Sequence, residues 1–417
     1  MFSKKNIILC VLYLVVFLNS FGYFLIMPVL SNMLVSPNHG LLSPEIIHRF
    51  GDYIYSIVLG GGSLACLVFA PIIGRCSDAI GRRNTLIVCS LLMITSFILP
   101  IAAFAVGSLW LFLLGNTING ISSNTQPVSQ AAISDISQKA PKNLAYRYCI
   151  DVSVIVAAMT LGPSIGELLS DSTLFSLASS SMPFYIAGFL SAISLISILC
   201  LLPETNHSRY IFKPQKVPKG FLFFNLFFKV FADIRRLPRS ILTMLFVCFL
   251  AQTAWGQYFQ YLFIYLPRDL HFTHWDLTRF TFLSGGSMIF GLLVLFRIFY
   301  RYFSLKKIVV ISMACCAFAM LGLSVCHQSF CQWLFMPILS IFIGMYFPAL
   351  LTLFSTETHT QDRGWILSLS NAVIGLGWLI TGFSAIWLSR FIANLPLITS
   401  AVLLFLAWII MAKESKK

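Results

Sequence analysis

Few side chains in this sequence could do more than pack, and most of those stand between or inside long apolar runs. The first group is Gly74-Arg75-Cys76-Ser77-Asp78-Ala79-Ile80-Gly81-Arg82-Arg83, which sets one aspartate among three arginines. Asp78 needs a cation or the positive N-terminal end of a helix as its partner. Gly74 and Gly81 permit the sharp turns that so short a link demands. The second group is a pair of acids, Asp151 and Glu167, within a single apolar run. An acid at membrane depth is costly and marks either a structural ion pair or an ion pathway. Arg147, four residues before Asp151, could form that pair. Glu167 has no cation nearby in sequence and is the better candidate for carrying a proton.

The third group is uncharged. Asn116, Asn119, Gly120, Ser123, Pro127, Gln130 and Ser134 recur at spacings of three and four, which places them on one helical face. Such a stripe lines a cavity or glues two helices together; a cavity lining is the expectation. Gln252, Trp255, Gln257, Tyr258 and Gln260, with Asn371, Gly375 and Trp378, combine amides and aromatic rings. Rings suit the apolar body of an amphipathic organic solute and amides suit its polar rim. Tyr261 and Tyr265 read instead as an interfacial aromatic belt. No Gly-rich phosphate loop with a following Lys-Ser/Thr supports the use of ATP. No nucleophile stands beside a base, and His271 and His274 lack the further ligands a metal requires. Neither an enzyme, a cofactor nor a metal site is expected.

The elements that hold these groups follow from composition. Of 417 residues, 58% are hydrophobic and 10% charged, against about 25% charged in ordinary globular domains. The net charge of +14 does not imply nucleic acid, because the cations cluster between apolar runs instead of along one face. A spanning helix needs about 20 mostly apolar residues. Twelve runs qualify: 7–30, 53–73, 85–106, 109–131, 148–169, 183–202, 240–263, 280–300, 308–326, 332–354, 365–388 and 395–412. The first continues from Ile7 to Val35 with no small-x-small cleavage site, so it reads as a membrane helix and not as a signal peptide. All lysines and arginines except Arg49, Arg268, Arg279 and Arg390 fall on one side of the resulting topology. Cations concentrate in cytoplasmic links, which assigns both termini to the cytoplasm. The long link 203–239 separates two six-helix halves, 1–202 and 240–417. Within it, Gly220 to Arg236 alternates aromatic and basic residues, as a helix lying on the inner leaflet or an unstructured tether would. Cys326 and Cys331 flank an outer turn; two lipid-facing thiols are expected there, with a disulfide as the alternative.

Gly-x-x-x-Asp-x-x-Gly-Arg-Arg between the second and third spans resembles the signature of the major facilitator superfamily of secondary transporters. The resemblance implies an all-α integral membrane protein with a major facilitator fold, in which this motif latches the two halves together. Gly74, Arg75, Asp78, Gly81, Arg82 and Arg83 are then gating residues. The first span, with Leu25-Ile26-Met27-Pro28-Val29-Leu30, is similar to that of bacterial tetracycline efflux proteins. Gly162-Pro163-Ser164-Ile165-Gly166 resembles the Gly-Pro-x-x-Gly motif of the drug:proton antiporter branch, a kink and contact surface at Gly162, Pro163 and Gly166. Asn19 stands where that branch carries an aspartate, and Asn116 where it carries an arginine. Asparagine cannot titrate, so proton coupling would have to use Asp151 or Glu167. The implied function is proton-coupled efflux of a small amphipathic solute across an inner membrane by a monomer in the lipid bilayer. The cavity would be lined by Asn19, Tyr23, Asn116, Asn119, Ser123, Gln130, Gln252, Trp255, Asn371 and Trp378. An uncoupled or differently coupled facilitator or importer of a nutrient or siderophore is the alternative within the fold. A non-transporting receptor or scaffold is the alternative from another class.

Overall fold

In lipid every backbone N–H and C=O must be satisfied within the protein, and a helix does so within one segment. The computed structural model describes residues 4–35, 44–137, 141–170, 179, 181–206, 234–235, 237–326, 328–359, 362–389 and 391–415, and its long elements are all helices. In chain order they are α1 (Lys4–Val35), α2 (Pro44–Ile80), α3 (Arg82–Val106), α4 (Leu109–Ser122), α5 (Thr125–Ser137), α6 (Pro141–Ser170) and α7 (Met182–Leu201). They continue as α8 (Arg239–Leu270), α9 (His274–Phe290), a π-helical turn (Gly291–Leu295), α10 (Phe296–Tyr302), α11 (Leu305–Val325), α12 (Ser329–Glu357), α13 (Arg363–Ser389) and α14 (Leu395–Glu414). Among the described residues, 11 helices are long and apolar enough to cross a membrane, with α9 to α10 counted as one. Most of the segment Gly220 to Arg236 lies outside the described residues.

The fourth span is not the single helix expected over 109–131. It breaks at Ser123 and Asn124 into α4 and α5. Pro127 has no N–H to give the carbonyl four residues earlier, so the ladder fails there. Ser123 O, the carbonyl so freed, accepts from Gln126 N at 3.3 Å, and side chains bond the two carbonyls before it: Asn124 Nδ2 donates to Ile121 O at 2.9 Å and Thr125 Oγ1 to Ser122 O at 2.9 Å.

Helices α1 to α7 pack mainly on one another through α1–α6, α1–α7, α3–α4 and α3–α7, and α8 to α14 do so through α11–α12, α8–α13, α8–α14 and α11–α14. The two groups meet along α2–α13, α5–α13, α6–α9 and α6–α12. Lipid tails are as apolar as leucine, so close van der Waals contact at small residues must hold such helices together. A Cβ added to Gly166 would lie 1.9 Å from Leu25 O, and one on Gly162 would lie 2.7 Å from Phe24 Cβ. The Gly-Pro-x-x-Gly stretch is thus the face on which α6 touches α1. Gly166→Ala is expected to destabilise the protein by about 1–3 kcal/mol through overpacking. Gly286, whose added Cβ meets nothing within 4 Å, serves as the tolerant control. Thermal unfolding of the two purified variants checks this, and equal midpoints would refute it.

One end of the bundle carries the start of α1, the end of α14 and the Arg75–Arg83 cluster. At the opposite end the structure joins Cys326 to Cys331 in a disulfide, with Cα atoms 6.1 Å apart, where free thiols were expected. The short turn from α11 to α12 holds the two cysteines within bonding range.

Candidate functional site

At the basic end, α2 stops at Ile80 because Gly81 takes φ 103°, a backbone conformation that favours glycine. A side chain there would also strike Glu204, whose Oε2 lies 2.2 Å from an added Cβ. Glu204 accepts from the N–H groups of Arg82 at 2.9 Å and Arg83 at 3.3 Å. It thereby covers the positive start of α3. Arg83 reaches the C-terminal end of α7, donating from Nη2 to Leu199 O at 2.8 Å.

Arg82 is fully buried and holds two carboxylates. Its Nη1 donates to Asp78 Oδ1 at 2.7 Å and its Nε to Asp135 Oδ2 at 3.0 Å. Asp78 then crosses to the other helical group. Its two oxygens accept from the N–H groups of Gly364 (3.1 Å) and Trp365 (2.8 Å), in the first turn of α13. The cation beside Asp78 is Arg82. Arg75 adds an ion pair with Asp362 at 2.5 Å, and its guanidinium lies 4.0 Å from the centre of the Trp365 ring. Gly74 makes the approach possible, since a Cβ there would meet Ser368 Cβ at 2.6 Å and Gly364 O at 2.8 Å.

Asp135, Glu204 and Trp365 belong to this cluster, and the sequence reading had missed them. A usable signal existed for Asp135, an acid one turn beyond the fourth apolar run. Glu204 gives no such signal, since beside Pro203 it reads as part of a helix stop.

The second group holds a weaker counterpart. Arg297 lies 5.3 Å from the ring centre of Tyr146 on α6, and Tyr146 meets Tyr300 edge-on. Lys306, at the start of α11, pairs with Glu357, at the end of α12, at 3.4 Å. Arg75 over Trp365 and Arg297 over Tyr146 are related contacts, as are Arg82–Asp135 and Lys306–Glu357. Among the described residues the carboxylate cap has no counterpart.

Deeper in the bundle the expected lining residues separate. Asn19 lies fifteen residues into α1, roughly 22 Å from its start. It is 3% exposed and neither amide atom has a partner. Gln130 is buried and donates to Asp151 Oδ2 at 3.0 Å. Asn119 is buried against α3: its Nδ2 donates to Ser96 Oγ at 3.1 Å, so it belongs to a seam between helices. Ser123 sits in the break between α4 and α5 and donates to Gly120 O. Asn116 stands beside Gly62 of α2. Tyr23 meets Phe24 edge-on.

In the second group, Gln252 donates to Tyr346 Oη at 3.3 Å, and Trp255 packs on Tyr258 and Phe259. Trp378 faces Phe259, and its buried indole N–H has no partner. Asn371 crosses between groups, donating to Cys66 Sγ at 3.3 Å and to Asn124 Oδ1 at 3.5 Å. Glu167 lies partly buried near the far end of α6.

The ion pair expected between Arg147 and Asp151 is not formed. Arg147 donates to Ser137 Oγ instead, at 2.5 Å. Asp151 is wholly buried with Oδ1 unpartnered. A spacing of four residues permits a pair, but here a closer hydroxyl on α5 takes the guanidinium.

Two packed groups of membrane-length helices, joined at one end by a charged cluster and polar at mid-depth, have the architecture of a membrane transporter. The sequence profile of the Major Facilitator Superfamily matches residues 12–382, and the chain belongs to that superfamily. It is 27% identical over 382 residues to the quinolone resistance protein NorA of Staphylococcus aureus, covering 88% of this chain and 86% of that protein. It is 30% identical over 203 residues to the class H tetracycline resistance protein of Pasteurella multocida, covering 49% of this chain. The chain spans just under half the length of the tetracycline resistance proteins it matches, 46% in that case. The crystal structure of the human organic anion transporter MFSD10 superposes with a TM-score of 0.81 at 17% identity, covering 98% of this chain and 100% of that one.

Proposed function

We propose that the protein exports a small amphipathic organic solute across a bacterial inner membrane in exchange for protons, as a monomer with both termini in the cytoplasm. The observation that carries this reading is the Asp78 carboxylate seated on the N–H groups of Gly364 and Trp365. A joint between two helical groups made of exposable polar contacts can part and re-form, whereas an apolar core of that size would not. The cation-rich end fits the cytoplasmic side. The Cys326–Cys331 disulfide at the other end fits an oxidising compartment. Asn19 and the Trp378 N–H offer unpartnered polar atoms, and Trp255, Phe259 and Trp378 offer ring faces. That combination suits a solute with an apolar body and a few polar groups. The resistance proteins to which the chain is similar favour export over import.

Inside-out vesicles test the reading with tetracycline and a fluoroquinolone as probes. An acid-inside gradient is expected to drive probe uptake, and nigericin to abolish it. Probe exchange that ignores the gradient would favour the uncoupled facilitator. No movement of either probe would remove the drug-efflux reading.

A further inference from the structure

We infer that Asp151 is a proton-binding site whose occupancy is tied to closure of the basic end. The inference deepens the proposed function and rests on its alternating-access cycle. Asp151 lies ten residues into α6, about 15 Å from the start of that helix, inside the hydrocarbon depth. Its side chain is 0% exposed, one oxygen accepts from Gln130 Nε2 at 3.0 Å and the other has no partner.

The charged and titratable groups around it are otherwise engaged. On α1, Tyr13 donates to Arg147 O, and Cys10 is exposed. On α5, Asp135 is held by Arg82. On α6 itself, Arg147 is turned to Ser137, and Tyr148 bonds Gln130 O and Ser355 Oγ. On α7, Tyr185 and Cys200 are exposed at the two ends. On α9, Asp276 and Arg279 stand near the far end, and on α10 Arg297 lies over Tyr146. On α12, Glu357 is paired with Lys306. Among the described residues no cation forms an ion pair with Asp151.

A carboxylate with a single donor in a dry interior is strongly disfavoured; the neutral acid is not. The closed seam therefore selects the protonated form. Tyr148 stands three residues before Asp151, on the same side of α6, and its hydroxyl reaches Ser355 of α12 at 2.7 Å. When α6 and α12 part, that hydrogen bond breaks and water reaches the acid. Oδ1–H then passes its proton to a water molecule, leaving the carboxylate and hydronium. The return half-cycle runs in reverse, hydronium giving its proton to Oδ1. Gln130 keeps its hydrogen bond to Oδ2 throughout, and nothing is oxidised or reduced. Each protonation state favours one conformation, which is what links a proton gradient to a conformational cycle.

The test needs no known solute. Full-length protein in phosphatidylethanolamine–phosphatidylglycerol liposomes is examined by infrared difference spectroscopy between about pH 5 and pH 9, a range that brackets buried carboxyl groups in general. A titrating carboxylic-acid C=O band is expected in the wild type. It should disappear in Asp151→Asn, return at a shifted frequency in Asp151→Glu, and persist in Glu167→Gln. A band kept in full by Asp151→Asn, or no titrating band in the wild type, would overturn the inference.

Transport of tetracycline in the same liposomes separates this from the broader reading. Gradient-driven accumulation should fall about tenfold or more in Asp151→Asn, and probe counterflow should lose its pH dependence. If Asp151 titrates but tetracycline is not moved, the solute reading fails and the proton site stands. If accumulation is undiminished in Asp151→Asn, the proton site fails and the exporter stands.

Discussion

An Arg82→Met protein is expected to lose about 3–5 kcal/mol of stability, as seen when one member of a buried charge cluster is removed. Arg82 is the only cation in contact with Asp78 and Asp135 among the described residues, and their side chains are 6% and 5% exposed. Methionine fills the volume but leaves both carboxylates without a counter-charge in a dry site. Ser77 Oγ also loses its donor. Arg82→Lys should recover only part of the loss, because one ammonium cannot reproduce the fork that reaches two acids through Nε and Nη1. Asp135→Asn in the Arg82→Met background should recover part as well, since it removes one uncompensated charge. Thermal unfolding of the four purified proteins, with size-exclusion profiles, measures the series. An Arg82→Met midpoint equal to wild type would show that the cluster does not hold its helices.

Asp78→Asn is expected to act on conformation more than on stability, because Asp78 bridges the helical groups while Arg82 keeps Asp135. An aspartate accepts from two N–H groups and a guanidinium. An asparagine offers one acceptor oxygen and turns its NH2 against one of those donors. Losing charge-assisted hydrogen bonds costs roughly 1.5–3 kcal/mol, which moves a two-state equilibrium by about tenfold or more. The basic end should open. Ser355→Cys is a suitable reporter: Ser355 is buried at 0% exposure between α12 and α6 and is covered only while the seam is shut. In a background without other free thiols, a membrane-impermeant maleimide applied from the basic side should label it about ten times faster when Asp78 is Asn. An unchanged rate would remove the latch.

The apolar spans were legible because lipid leaves no alternative: a helix that crosses must be apolar for about 20 residues. The Asp78 motif was legible because an acid beside arginines in a tight turn asks for a partner. Spacing alone could not say which partner. Helical periodicity fixes the direction in which Asn119 points, but only packing shows that α3 and Ser96 lie in that direction. The same holds for Arg147, which has both Asp151 and Ser137 within reach and takes Ser137. Asp135 and Glu204 were passed over because each acts on a segment remote in the chain, through contacts to Arg82. The break at Ser123 was foreshadowed by Pro127, four residues on, whose missing N–H is a local property of the sequence.

The pairing of Lys306 with Glu357 bears on how the chain arose. If the two helical groups descend from one duplicated ancestor, what the second copy kept is an arrangement of side chains and not their identities. A lysine replaces an arginine, a glutamate replaces an aspartate, and a tyrosine ring takes the place of an indole. Selection of that kind acts on a pair, so either member can drift while the other compensates. The ancestral copy is then better reconstructed from contacts than from aligned letters. A cation opening the ninth span and an acid closing the tenth form a fossil that letter-by-letter comparison of the two copies would overlook.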